Sequence, residues 1–499
     1  TTSSNNNPST HLYRCLTLGY IGHQYLFRFF QRPPYLDDPS LRAIAYDMEL
    51  IMNTARTPIN LIRASPHQTY SCIRKLCTTT RDPNRTQRPK LNYEYLYNPS
   101  NTKYIERLIQ HRKNVGDIHK VLQLRQKLES VSESSHEYQL VQEELEKEAL
   151  NIPNDASPHL WAYGEEPKVL EYVNPKPQFS FTPLELGQLG QRLDILRTEN
   201  LGNVTGTRSY FFKGALAQLE HALIKYSVSH LLKKGFTLMS VPDLLYSEII
   251  EDCGMNTQGE HSQVYHIVGP SEGVCLAGTA EMALGGYLRG RQLESHKLPL
   301  KLAAVSRCYR AESSAQAEER GIYRVHAFTK VEMFGATAAD TGQESHDLYS
   351  EMVLLQKELF SRLGIHFQVL DMPLHDLGAP AYTKTDIEAW MPGRGMYGEI
   401  SSASNCTDYQ SARLNITYRD ANGRERLVHT VNGTACAVPR LAIALCETFQ
   451  DSNGNISLPP SLHPYLPGPS KICLPSTPCR TTWLRQKAFQ GTIVPPQGT

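Results

Sequence analysis

The sequence predicts an α+β protein: an N-terminal α-helical hairpin, coiled-coil-like, followed by a larger domain in which strands and helices mix. Three observations predict it. Apolar residues between 103 and 150 recur at helical spacing. Residues 308–334, CYRAESSAQAEERGIYRVHAFTKVEMF, alternate with period two on either side of a charged loop. Beyond a linker marked by Pro153, Pro158, Pro167, Pro175, Pro177 and Pro183, helix and strand patterns interleave to about residue 450. The boundaries that follow are an extension at 1–81, a helical arm at 82–152, a mixed domain at 153–457 and a Pro-rich tail at 458–499.

The extension differs from the rest. TTSSNNNPST is of low complexity, and the chain does not begin with Met. From Met52 to Arg81 there is no Asp or Glu, while Arg56, Arg63, Arg74, Lys75 and Arg81 are spaced by Ser and Thr. That composition is the make-up of a mitochondrial transit peptide, with a disordered basic arm as the alternative. We expect translation to start at Met52, with residues 1–51 an upstream extension or a gene-model error.

The hairpin has two unlike halves. Ile105, Leu108, Ile109, Ile118, Val121, Leu122 and Leu128 approximate one apolar stripe, which predicts a first helix of about 25 residues, or roughly 37 Å. Lys103, Arg107, Arg112, Lys113, Lys120, Arg125 and Lys127 make that helix basic. EYQLVQEELEKEAL is acidic, and Ser134–Ser135 suits the turn between them. The cations either offer themselves to phosphates or pair with the acidic helix.

Composition excludes several classes. Lys plus Arg number 51 and Asp plus Glu 50, so no global field draws the chain to nucleic acid. No run of about 18 apolar residues exists, so no membrane span is expected. The 11 cysteines are scattered with no C-x-x-C, which argues for a reducing compartment and against a disulfide framework or a structural zinc site. The N-x-T triplets at Asn405, Asn415 and Asn432 read as chance matches. The tail, LPPSLHPYLPGPSKICLPSTPC, is expected to be extended and poorly ordered.

Within 308–334, Arg324, His326, Phe328, Lys330 and Glu332 fall on one side of the second segment, and Cys308, Arg310 and Glu312 share a face of the first. A solvated sheet face has the same look, and this stretch alone does not choose. Four other stretches bear on it: ALAQLEHALIKYSVSHLLKKG running into FTLMSVPDLL with Pro242; LAGTAEMALGGYLRGR at 276–291; GEISSASNCTDYQSAR at 398–413; and NGTACAVPRLAIALCETFQ at 432–450, a short strand entering an apolar helix.

In order, these five blocks resemble the seryl-tRNA synthetases, most closely the mitochondrial type, over about 350 residues. The helix–strand–Pro242 unit resembles motif 1 of class II synthetases, CYRAE…RGIYRVHAFTKVEMF motif 2, and NGTACAVPRLAIAL motif 3. GTAE and GEISSASNC resemble the seryl branch in particular.

The resemblance implies an antiparallel β-sheet catalytic domain flanked by helices, and a homodimer formed through the motif 1 helix and strand. It implies activation of L-serine with ATP and Mg²⁺ to seryl-adenylate, then transfer to mitochondrial tRNA-Ser in the matrix, with tRNA-Sec type acceptors as a further class. By the same resemblance Arg310, Glu312 and Arg440 are the catalytic residues. Arg310 grips the α-phosphate, Glu312 contacts ATP, and Arg440 covers adenine opposite Phe328. Ala311, Val325, Ile400 and Ser401 complete the ATP set, and Glu399 and Ser402 serve ATP and Mg²⁺. Thr279 and Glu281 take the serine ammonium, with Ala280 between them in the serine-binding set; Glu332 makes a further serine contact, and Thr434 takes the hydroxyl. His326 is read as positioning the loop.

Two departures stand out. The arm is short, with part of its tip missing between about Glu129 and Tyr138, and the loop SSAQAEERG is not the family's Gly-rich form. Two alternatives follow: a catalytically silent, synthetase-like binding partner in mitochondria, and a class II paralogue that adenylates another acid and charges no tRNA.

Overall fold

The computed structural model describes residues 88–474 apart from 203, 259–261, 270–272 and 313–318. The extension and transit-like segment at 1–81 and the tail beyond 474 lie outside the described residues.

The described residues begin with one turn of helix, Tyr93–Tyr97, followed by three short helices: α1 (Pro99–His111), α2 (Ile118–Ser130) and α3 (His136–Leu150). The expected first helix of about 25 residues is therefore two. The break is local chemistry. Lys113, Asn114 and Gly116 take positive φ, and Asp117 caps α2 by accepting from His119 and Lys120 N–H. Gly116 also packs so closely that a Cβ there would lie 2.8 Å from the Asn151 carbonyl oxygen. Ser135 caps α3, as the Ser134–Ser135 turn suggested.

The charges of α2 are matched by α3. Lys120 lies 3.3 Å from Glu144 and 3.2 Å from Glu148, and Lys127 lies 3.4 Å from Glu137. Arg125 pairs with Glu129. Arg112 is buried and donates to the Gly378 and Ala381 carbonyls, both at 2.8 Å. It bolts the arm to the larger domain, and buried Arg413 does the same from the other side through the Leu150 and Ile152 carbonyls. Arg107 lies over the Trp161 ring. Lys103 and Lys113 alone among these cations have no partner among the described residues.

The larger domain is built on one sheet. Its strands and main helices run β1 (Lys168–Val173), α4 (Ala215–Lys233), β2 (Thr237–Met239), α5 (Ala280–Leu288), β3 (Leu300–Tyr309), β4 (Ala327–Thr337), α6 (Gln343–Arg362), β5 (Phe367–Asp371), β6 (Thr383–Met391), β7 (Met396–Thr407), β8 (His429–Ala437) and α7 (Val438–Thr448). The spatial order is β1-β5-β6-β7-β8-β4-β3-β2. Every pairing is antiparallel except β2 with β3, so the sheet is mixed at one edge. A parallel edge needs a long crossover, which the chain from 240 to 299 supplies.

The helices cover the sheet by ordinary amphipathic logic. Leu216, Leu219, Leu223 and Tyr226 of α4 and Leu348, Met352, Leu355 and Leu359 of α6 are buried at three- and four-residue intervals. Each fully buried Leu contributes about 2 kcal/mol. In α7 every residue from Val438 to Glu447 except Arg440 is buried. The tail was expected to be poorly ordered from 458, but its first part packs: Ile456–Ser457 pairs with Lys471–Ile472, and Leu462 and Ile472 join the main core.

Candidate active site

The site forms where β3, β4, β7 and β8 meet, and it opens past the strand ends. β3 stops at Tyr309 and β4 starts at Ala327, so Arg310, Glu312 and residues 319–326 belong to the connection rather than to strands. The period-two reading of Tyr323 to His326 as strand is corrected accordingly. His326 closes the base of this connection. Its Nδ1 lies 3.0 Å from the Arg310 carbonyl and 2.8 Å from the Tyr265 hydroxyl, and its carbonyl accepts from Arg310 N–H.

Two bulges aim side chains at the cleft. Ser401 and Glu399 of β7 oppose successive residues of β6, which leaves Ile400 as the extra residue. Thr434 and Cys436 of β8 oppose successive residues of β4, which leaves Ala435 extra. A bulge bends the strand and turns its side chains out of strict alternation.

Arg310, Glu312, Val325, Phe328, Glu399, Ile400, Ser401, Ser402, Thr434 and Arg440 all line one cleft. Their geometry is specific. The Arg310 guanidinium lies 5.4 Å from the Phe328 ring centroid. Arg440 donates to the Glu399 carboxylate and to its carbonyl, each at 3.0 Å. Glu312 is buried and pairs with Arg324 at 2.8 Å. The Ser401 hydroxyl is spent on the Thr434 carbonyl at 2.5 Å, so its part in the cleft is to tie β7 to β8.

The remaining residues singled out in the sequence sit behind this lining. Glu332 is buried beneath Lys330 and Thr434, 2.5 Å from the Lys330 ammonium, and accepts from the Thr434 hydroxyl at 3.2 Å. Thr279 caps α5 by accepting from Glu281 N–H, and Ala280 is buried in the first turn. Arg310 Nε reaches the Gly278 carbonyl at 3.4 Å, which joins the GTAE loop to the cleft. Ala311 N–H donates to the Gln263 carbonyl.

Electrostatics separate the carboxylates. Burial alone would raise Glu399, but Arg440, Lys384 and Arg310 prevail and hold it at about 2. Burial and the Glu332 charge push Glu281 up to about 7, against the pull of Gln410, Lys330 and Arg310. Burial and Glu399 push Asp386, which opposes Ser402 across the strands, up to about 7 as well. A cleft lined by cations and the ionised Glu399, with buried acids behind it, can hold a polyanion through its cations and an ammonium through its acids.

The class II tRNA synthetase core domain (G, H, P, S and T) matches residues 269–449. The serine–tRNA ligase of Treponema denticola is 42% identical over 342 residues, which is 68% of this chain and 80% of that protein. The chain belongs to the serine–tRNA ligase family. The mitochondrial serine–tRNA ligase of Mus musculus is 47% identical over 339 residues, 67% of this chain and 65% of that protein, so the chain spans just under two thirds of that relative's length. Among solved structures, the cytoplasmic serine–tRNA ligase of Naegleria fowleri in complex with AMP superposes with a TM-score of 0.68 at 25% identity, covering 76% of this chain and 98% of that one.

Several residues of this family member's cleft were not singled out from the sequence. Arg324 and Tyr323 line it. Tyr323 lies under Arg440 at 4.5 Å, and its hydroxyl accepts the Glu399 N–H at 3.1 Å. Gly398 permits this approach, since a Cβ there would lie 2.7 Å from the Tyr323 ring. Gln410 and Asn432 both donate to Glu281. Lys330, Tyr323 and Arg324 are visible in the period-two stretch, but no signal in the sequence says which face the connection turns inward.

Proposed function

We propose that the protein activates L-serine with ATP and transfers the seryl group to tRNA-Ser in mitochondria. The observation that carries this is the Glu332–Thr434 hydrogen bond at 3.2 Å in a buried pocket that adjoins Arg310. A small polar compartment beside a phosphate-gripping arginine suits an amino acid with a hydroxyl and no bulk.

In the first step an oxygen of the serine carboxylate attacks the α-phosphorus of ATP, and the bond to pyrophosphate breaks. The carboxylate is already ionised, so no general base is needed. Arg310 receives the charge that develops at phosphorus, and its planar guanidinium holds two oxygens at once. Phe328 offers adenine a flat apolar face, and Arg440 and Arg324 supply further cations for the phosphates. Most of the barrier reduction is positioning and electrostatics. In the second step a ribose hydroxyl at the tRNA 3′ end attacks the seryl carbonyl, and AMP leaves.

Glu399 and Ser402 present only oxygen donors, and Glu399 stays ionised with 39% of its side chain exposed. That donor set fits Mg²⁺, which takes one or two carboxylates and completes its shell from phosphates and water. Bound there, the ion would neutralise phosphate charge. In this reading Glu281, with Thr279 and Ala280 shaping its loop, takes the serine ammonium, Glu332 makes a further serine contact and Thr434 takes the hydroxyl. A pocket that hydrogen-bonds a hydroxyl rejects the analogue lacking it by about 10⁴–10⁵-fold.

The homodimer reading is supported by the edge position of β2 and by Leu232, Leu238, Leu244 and Tyr246, all exposed on the α4–β2 unit and its continuation. The mitochondrial matrix is the compartment that the transit-like composition of 52–81 favours. All residues that a silent paralogue would be free to lose are present.

The test is charging. Wild-type protein with ATP, radiolabelled serine and mitochondrial tRNA should yield acid-precipitable seryl-tRNA. Adenylate formation with no charging of any tRNA-Ser would replace this reading with the non-charging paralogue.

A further inference from the structure

We infer that Gln410, held by Thr430, is a positioning residue that fixes the Glu281 carboxylate for the ammonium group of the amino-acid substrate. The inference rests on the serine-activating reading above.

Gln410 lies in the short helix Tyr409–Leu414, of which every residue is buried. Gln410 and Thr430 are both fully inaccessible to solvent. The Gln410 amide Nε2 donates to Glu281 Oε1 at 2.6 Å and toward the Cys253 carbonyl at 3.3 Å. Its Oε1 accepts from the Thr430 hydroxyl at 2.7 Å. With Glu281 ionised, the form that attracts an ammonium, the amide has one satisfied orientation. Reversed, it would turn its oxygen toward a carboxylate and a carbonyl, and three buried acceptors would share no proton. Thr430 holds the other end, so the donor cannot swing away.

Asn432 adds a second N–H to the same oxygen at 2.9 Å. Glu281 Oε1 is thus doubly hydrogen-bonded, while Oε2 accepts no hydrogen bond among the described residues. One oxygen anchors the carboxylate and the other is left for a third donor.

The anchor is neutral, and that is its use. A Lys or Arg in place of Gln410 would neutralise Glu281 and cancel its attraction for an ammonium. Two amides instead fix the geometry without adding a counter-charge. The buried surroundings and the nearby Glu332 make that charge costly, so a cationic ligand that relieves it is strongly favoured. A carboxylate fixed before the ligand arrives loses no rotamer freedom on binding.

The experiment is serine-dependent ATP–pyrophosphate exchange by the full chain, with serine and ATP varied separately, for wild type, Gln410→Met and Thr430→Val. Met keeps the volume and removes the donors; Val removes only the hydroxyl. We expect the KM for serine to rise about tenfold or more in Gln410→Met, the loss of one hydrogen bond to a charged group. Thr430→Val should raise it less, in the same direction. The KM for ATP and kcat at saturating serine should stay within about twofold, since the ATP half of the cleft is untouched. An unchanged serine KM, or equal rises for serine and ATP, overturns the inference. If Gln410→Met does not fold by circular dichroism, Thr430→Val decides alone. Wild type that exchanges with no amino acid sinks the serine-activating reading and this inference together. Wild type that exchanges normally beside unaltered variants sinks this inference only.

Discussion

The arm and the cleft use the same residue types in opposite ways. In the hairpin, Lys120, Arg125 and Lys127 lie on the surface and each is matched: Lys120 with Glu144 and Glu148, Arg125 with Glu129, and Lys127 with Glu137. In the cleft, Arg310, Arg440, Glu281, Glu332 and Glu399 come from four separate stretches of chain and are half-buried or buried. Surface pairs of the first kind are worth about 0–1 kcal/mol each, because solvent already stabilises both charges. Charges of the second kind are costly to bury and persist where a ligand or a fixed network answers them. An equal charge count therefore says little until burial and convergence are known.

The comparison is broken or sharpened by substitutions on each side. The largest effect belongs to Arg310→Ala, which should lower kcat for serine-dependent pyrophosphate exchange by about 10²–10³-fold while the protein stays folded. Next is Arg112→Ala at the junction. Although it belongs to the arm's sequence, it is buried; the Ala381 carbonyl would lose its donor and the Gly378 carbonyl would keep only the Ala381 N–H, so the change should destabilise the protein by about 1–3 kcal/mol in denaturant unfolding. A cost below about 0.5 kcal/mol would place Arg112 with the surface pairs.

The third concerns pH. Glu281 titrates near 7 because burial and Glu332 favour its protonated form. Only the ionised form attracts an ammonium, so the serine KM should rise about tenfold from pH 8 to pH 6, and that dependence should vanish in Glu281→Gln. A serine KM that is flat over this interval in the wild type would remove Glu281 from the ammonium site. The smallest effect is Lys120→Ala, expected to leave both the denaturant midpoint and pyrophosphate exchange essentially unchanged, because solvent already stabilises its charge.

Much of this architecture is legible in the sequence. The α4 stripe, the apolar α7 with its single early arginine, and the alternation of Phe328, Lys330 and Glu332 each follow from local periodicity. The break after Arg112 was also legible: Asn-Val-Gly-Asp is a stop followed by a cap, and the continuous apolar stripe concealed it. The packed start of the tail was hidden by its prolines, since a Pro-rich segment can be ordered by burying Leu462 and Ile472 against a core it does not itself contain. The parallel pairing of β2 has no local signal. Neither does the Thr430–Gln410–Glu281 relay, whose members are 20 and 129 residues apart along the chain. Hydrogen bonds at such separations are set by tertiary packing, and polar residues inside apolar surroundings are the mark they leave in a sequence.

The most direct measurement of the central claim is ATP–pyrophosphate exchange across the amino acids, with Arg310→Ala as control. Exchange supported by serine, not by alanine or threonine, and lost in Arg310→Ala is the result this account predicts. A folded protein that exchanges with no amino acid, or that prefers one without a hydroxyl, would contradict it.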